Sequence, residues 1–308
     1  MDQPKYLLWL GASVAVSFLF FLFTGRRNRN NARLVLVSVI PAVILGAVCS
    51  KLLYLLLQLD FVLVEGIEEH LFSMSPERFS FIGGVAGVCL SVALCGKLTR
   101  TGAVNALNGF APAGLLLAAL IRFGEFFLAG DYMTGTGPFL EEGSPLCFFP
   151  MAINCSGDPE WAEWYLAVFA IEGTVLLVMA VVSLRCFRRD RFLRSLFYLC
   201  LPQIILENLL NNVFWWIFCV RVEQALYMAA MLILLIVYTV RAKGWRFRAV
   251  PAVAAVLCTG LFVVMEFAME QKIEFLSFLS VEACYGLMGL GTAVLLAAEV
   301  WSHPQTVR

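Results

Sequence analysis

Histidine is almost missing from this chain: 308 residues contain two, His70 and His303, and both fall outside the apolar runs. That scarcity argues against a histidine metal centre and against a histidine base inside an apolar segment. Charge is scarce too, 14% of residues against 61% hydrophobic, and the two signs cancel to a net charge of zero. A nucleic-acid partner, which needs a basic footprint, has no support. None of the ten cysteines stands in a C-x-x-C pair. Most sit singly in apolar runs, where a thiol packs as a small hydrophobe. Cys147 and Cys155 share one loop, and a spacing of eight residues leaves their pairing open.

What the chain has instead is apolar length. A helix needs about 20 apolar residues to cross a bilayer. Such runs occur near 6 to 23, 34 to 58, 79 to 96, 106 to 129, 164 to 184, 195 to 218, 223 to 240, 249 to 268 and 276 to 300. The expectation is an all-α fold, a polytopic transmembrane helix bundle of about nine spans. The loops carry the orientation. Arg26, Arg27, Arg29 and Arg33 follow the first run, Lys97 and Arg100 the third, the Arg185–Arg194 cluster the fifth, and Arg241, Lys243, Arg246 and Arg248 the seventh. Every second loop is basic, while Asp60, Glu65, Glu68, Glu69, Glu141, Glu142, Asp158, Glu160 and Glu163 fall in the alternate ones. By the positive-inside rule the amino terminus lies outside and the carboxyl terminus in the cytoplasm. The first run has its basic cluster behind it and no small-x-small site, so it reads as a retained helix rather than a cleaved signal.

No internal repeat or low-complexity segment is visible, and two outer loops, 59 to 78 and 130 to 163, are long. Long loops in compact proteins commonly recognise or cover a site. Trp161 and Trp164 read first as an interfacial belt, and FVLVEGIEEHLF as a short helix on the membrane surface.

Ionisable groups inside the runs carry the sharpest information, because each costs a few kcal/mol, about 2.5 or more, at bilayer depth. They are Lys51, Arg122, Glu125, Glu172, Glu207, Glu266 and Glu282. Arg122 and Glu125, three residues apart, share a helix face and can pair. Arg122 also lies in the outer half of its run, where a planar guanidinium could grip a lipid phosphate. Glu207 sits among Gln203, Asn208, Asn211 and Asn212, a polar stripe that suits a cavity. Glu266 and Glu282 lie near the outer ends of the last two runs and read as snorkelling or packing groups. Gly83, Gly84 and Gly87 make a small-residue face for close helix contact or backbone approach to a ligand.

In this order the residues resemble the bacterial prolipoprotein diacylglyceryl transferases. Ser80, Phe81, Ile82, Gly83, Gly84 and Gly87 match the family's S-F-H-G-G-x-x-G, and Ala111 and Pro112 precede Arg122 in RFGEF at its spacing, with Asp131 following. VILGAVCSKLLYLL looks like its second span with Lys51 for arginine; Gln203 and Glu207 stand for its R-x-x-x-E; and EQALYMAAML resembles the opening of its seventh span. The likeness covers about residues 1–240, leaving 241–308 as two additional helices. It implies transfer of the diacylglyceryl group of an anionic phospholipid, phosphatidylglycerol-like, to the lipobox cysteine of an exported prolipoprotein precursor, in the bacterial plasma membrane and without metal or organic cofactor. Arg122 would hold the phosphate, and Glu207 or Glu125 would take the thiol proton. Lys51, Gly83, Gly84, Asp131 and Gln203 would complete the lipid site. Four positions depart from the pattern: Leu10, Ile82, Glu125 and Gln203. They leave open a relative that is catalytically silent and binds lipid or a membrane partner. A small-solute transporter ranks last, because no repeat supports it.

Overall fold

The computed structural model describes residues 3–24, 29–73, 75–141, 143–156, 162–187, 190–211, 216–217, 220–241 and 244–306. Among these the fold is all-α in its framework. In chain order the helices are α1 (Gln3–Thr24), α2 (Arg29–Leu57), α3 (Leu59–Glu65), α4 (Ile67–Phe72), α5 (Phe81–Leu98) and α6 (Ala103–Gly124). Then come α7 (Ala129–Tyr132), α8 (Val168–Cys186), α9 (Arg191–Leu209), α10 (Val222–Arg241), α11 (Trp245–Met269) and α12 (Val281–Thr306). Eight of them, α1, α2, α5, α6, α8, α10, α11 and α12, are long and apolar enough to cross a membrane. At 1.5 Å per residue the 22 residues of α1 reach about 33 Å, the thickness of a hydrocarbon core. Their outward side chains are apolar, with Leu8, Leu36 and Ile40 among the most exposed, as expected where the solvent is lipid.

The sixth expected run differs. It forms α9, which stops at Leu209 instead of reaching 218, and it is not among the eight. Its 19 residues include Arg191, Arg194, Pro202, Gln203, Glu207 and Asn208, so it is amphipathic rather than evenly apolar. A two-stranded pairing, β4 (Trp216–Ile217) with β5 (Val220–Arg221), precedes α10.

Contacts group the chain into two units, one of residues 1–196 with 209–214 and the other of 197–208 with 215–308. In the second unit α10 packs on α11 and α12.

In the first unit α2 and α5 lie closest, because glycines remove the side chains between them. A Cβ on Gly83 would fall 2.5 Å from the Cys49 carbonyl oxygen, and one on Gly87 2.7 Å from the Leu45 carbonyl carbon. Ser80 starts α5 as its N-cap, its Oγ accepting from the Gly83 amide at 3.4 Å. Helix α1 packs on α6 through Phe18, Phe21 and Phe110, with centroids 5.4 to 5.6 Å apart, and through Trp9, whose Nε1 donates to the Leu120 carbonyl at 2.6 Å. The long loop between α7 and α8 folds into a small antiparallel sheet of β1 (Phe139–Leu140), β3 (Trp164–Leu166) and β2 (Ala152–Asn154), in that order. Cys147 and Cys155 are free thiols whose sulfurs turn to the carbonyls of Glu141 and Ala129. Trp161 lies outside the described residues.

In the second unit the packing core is Met231, Leu235 and Tyr238 of α10 and Phe262 of α11, all fully buried. Phe262 fills the gap beside Gly291 of α12.

Candidate functional site

Helix α6 ends at Gly124 and tightens into a short 3-10 turn from Glu125 to Phe127. That turn brings Glu125 back over the last helical turn, and the i, i+3 pair forms: Arg122 Nη1 lies 2.8 Å from Glu125 Oε1. A second carboxylate comes from α8, with Glu172 Oε2 2.6 Å from Arg122 Nε. The guanidinium also rests on Phe81, 4.2 Å from the ring centroid. Arg122, Glu125 and Glu172 are 6%, 7% and 0% exposed. One buried cation therefore sits between two buried carboxylates, and its charge is fully met within the protein. Packing holds the trio in place. Gly135 has φ of +72°, and a Cβ there would strike the Glu125 carboxylate, so the loop between α7 and α8 closes directly on it. Phe123, the residue after the arginine, fills the space over Gly173 of α8.

Lys51 stands in a different electrostatic setting. It is 8% exposed, in the C-terminal part of α2. Its Nζ donates to the carbonyls of Ser73 at 2.7 Å and Arg78 at 3.3 Å, and it lies 4.6 Å from the Phe79 ring centroid and 5.5 Å from that of Tyr54. Among the described residues no carboxylate oxygen lies within ion-pair distance of it. Two carbonyl dipoles and two aromatic faces hold the ammonium. The adjoining Ser50 fixes this end of α2 to the start of α5, its Oγ donating to the Ser80 carbonyl at 2.6 Å.

Beside Lys51 lies the connection carrying α3 and α4. His70 is fully buried. Its Nε2 is 2.9 Å from Glu65 Oε2 and its Nδ1 3.3 Å from the Tyr54 hydroxyl. The Phe61 ring meets it edge-on at 5.5 Å. Sequence alone placed His70 in a loop and gave no sign of this burial.

The expected site residues thus fall into two sets. Lys51, Gly83, Gly84, Arg122 and Glu125 belong to the first unit. The backbone of Asp131 lies in α7, and its side chain is outside what is described. Gly84 is less constrained than Gly83, with nothing nearer than 3.8 Å to a Cβ built on it.

Gln203 and Glu207 belong to the second unit, 0% and 3% exposed. Arg221, at the end of β5, donates through Nη1 to the Glu207 carbonyl. Among the described residues neither side-chain atom of Gln203 has a hydrogen-bond partner. Of the polar stripe, Asn208 donates to both oxygens of Glu266, at 2.8 and 2.9 Å, and Gln224 Nε2 donates to the same carboxylate and to the Ile204 carbonyl. Glu266 is 2% exposed. It was read as a snorkelling or packing group, and the structure makes it the centre of a buried amide network. Glu282 is exposed, as a snorkelling group would be. Glu299 was not singled out at all; it is fully buried and accepts from the Tyr198 hydroxyl at 3.3 Å. Asn211 instead joins the first unit, its amide nitrogen donating to the Thr136 carbonyl at 2.8 Å. Asn212 lies outside the described residues.

Comparison with known proteins adds one likeness. The chain is 26% identical over 202 residues, 57% of its own length and 69% of theirs, to the phosphatidylglycerol–prolipoprotein diacylglyceryl transferases of two Neisseria meningitidis strains, of serogroups B and C. No family model matches it, and no solved structure does. The likeness is distant and points to the same transferase family as the motifs; the chain is a multi-pass helical membrane protein.

Proposed function

We propose that this protein is a membrane transferase that moves the diacylglyceryl group of an anionic phospholipid of the phosphatidylglycerol type to the lipobox cysteine of an exported prolipoprotein, in a bacterial plasma membrane. The likeness to the Neisseria transferases supports the reaction class. The observation that carries the geometry is Lys51, a buried ammonium whose partners among the described residues are all uncharged. A buried cation held by carbonyls and aromatic faces fits an anionic ligand, and a headgroup phosphate at this end of α2 would supply one.

Arg122 has a different part in this reading. Two carboxylates already neutralise it, so a phosphate there would have to displace Glu125 or Glu172. Its guanidinium, stacked on Phe81, instead holds α6, α8 and the start of α5 in register around the Lys51 end. Glu125 is engaged by the same guanidinium, at 2.8 Å.

The test is maturation of a reporter lipoprotein in cells depleted of their own transferase, read as the mass gain of a diacylglyceryl group. The expected result is modification by the wild-type chain. Lys51→Gln should raise KM for phosphatidylglycerol about 10- to 100-fold, the worth of a charge-assisted hydrogen bond, while Lys51→Arg keeps most of the activity. A chain that is expressed and inserted yet leaves the reporter unmodified would overturn the reading.

A further inference from the structure

The arm that covers Lys51 is built in a particular order. Glu65, at the end of α3, keeps its carboxylate partly in water, with 39% of its side chain exposed. His70 follows, with no exposure at all, and then Tyr54, 6% exposed, whose ring flanks the Lys51 ammonium. In the tautomer that serves a base, the imidazole proton sits on Nε2, toward Glu65, and Nδ1 accepts from the Tyr54 hydroxyl. The contacts order the three groups from water to cation.

A clasp for the arm would need no such order. The contacts of Arg78 with the Glu69 carbonyl, and of Lys51 with Ser73 and Arg78, already hold it down. An acid at the water side, an imidazole in the middle and a phenol against a cation form the arrangement by which a nucleophile is relieved of its proton.

We infer that Tyr54, His70 and Glu65 form a proton relay for the acceptor thiol. The inference rests on the transferase reading. As the thiol sulfur attacks the glyceryl carbon, the S–H bond breaks and the S–C bond forms. The C–O bond to phosphate breaks, and its electron pair leaves with glycerol phosphate, beside Lys51. The thiol proton passes to the Tyr54 oxygen while the Tyr54 proton passes to His70 Nδ1. The resulting imidazolium is held by Glu65 and releases its proton to water at the exposed carboxylate. No electrons change hands beyond the two bonds exchanged. Tyr54 is the group that touches the reacting atoms, and His70 and Glu65 are positioning residues that act through it.

The experiment uses the full-length protein in phosphatidylglycerol vesicles with a lipobox peptide. Tyr54→Phe keeps the ring against Lys51 and removes the hydroxyl; His70→Gln keeps a hydrogen-bonding side chain and removes the imidazole. Both should lower kcat by about 100-fold or more, the usual worth of general base catalysis, with KM for the lipid within about twofold of wild type. His70→Ala should regain kcat on addition of free imidazole, which a purely structural role would not show. An active wild type whose kcat is unchanged in Tyr54→Phe and His70→Gln would overturn the relay alone. Loss of kcat that tracks a fall in thermal midpoint and is not rescued by imidazole would also overturn it. A wild type that transfers nothing overturns the transferase reading and the relay with it.

Discussion

Replacing Arg122 by methionine separates a structural cation from a phosphate clamp. The side chain is 6% exposed, and it is the partner of Glu125 at 2.8 Å and of Glu172 at 2.6 Å, themselves 7% and 0% exposed. Methionine refills much of the volume against Phe81 but leaves two carboxylates facing each other without a cation. Removing one partner of a buried ion pair costs about 3–5 kcal/mol, which is two to more than three powers of ten in the folded-to-unfolded ratio. Neutralising the carboxylates as well, in Arg122→Met/Glu125→Gln/Glu172→Gln, should return most of that loss. Only the smaller cost of imperfectly paired amides, about 1–3 kcal/mol, would remain. Glu172→Gln alone leaves a one-to-one pair and should cost less than half of the arginine replacement. The assay is equilibrium unfolding of the reconstituted protein by SDS, with intrinsic tryptophan fluorescence as the signal. The reasoning is refuted if Arg122→Met lies within about 1 kcal/mol of wild type, or if the triple variant is no more stable than the single one. Either result would mean that the guanidinium is not committed to the two acids, and the phosphate role would return to it.

Two further outcomes follow from packing and from ionisation. Gly83→Ala should destabilise by about 1–3 kcal/mol, because its Cβ meets the Cys49 carbonyl at 2.5 Å and Leu53 Cβ at 2.9 Å, whereas Gly84→Ala should lie within about 0.5 kcal/mol of wild type, its nearest neighbour being 3.8 Å away; thermal midpoints that reverse this order would show that α2 and α5 do not pack as described. The Cys155 thiol is held above the ordinary range, first by burial and then by the Glu163 carboxylate, so its thiolate forms at higher pH. In a background with the other cysteines replaced, iodoacetamide labelling of Cys155 should rise with pH later than that of a free cysteine peptide. Glu163→Gln should move the curve part of the way back; a curve at or below the peptide's would contradict the assignment.

Span by span, the framework was legible because hydropathy is local and additive. Run 6 to 23 became Gln3–Thr24, and run 223 to 240 became Val222–Arg241. The sixth run misled for a physical reason. Apolar letters beyond residue 209 lengthened it, whereas α9 stops at Leu209. The polar residues there have their own partners: Asn208 is satisfied by Glu266 and Asn211 by Thr136 and Gly137. Those partners lie 58, 75 and 74 residues away in sequence, so no window reveals them. The same holds for the site. The pairing of Arg122 with Glu125 was readable from a spacing of three, but its second acid, Glu172, comes from another helix 50 residues later. His70 had no visible signal except its position five residues after Glu65, since the phenol beside it lies on α2, 16 residues earlier.

The place of Glu266 bears on how this protein can be shortened. A variant cut at residue 240 would lose Glu266, and with it the carboxylate to which Asn208 donates and one of the two acceptors of the fully buried Gln224. The last two helices are therefore an internal solvent for α9 and α10, and a part of the chain that those two helices cannot discard.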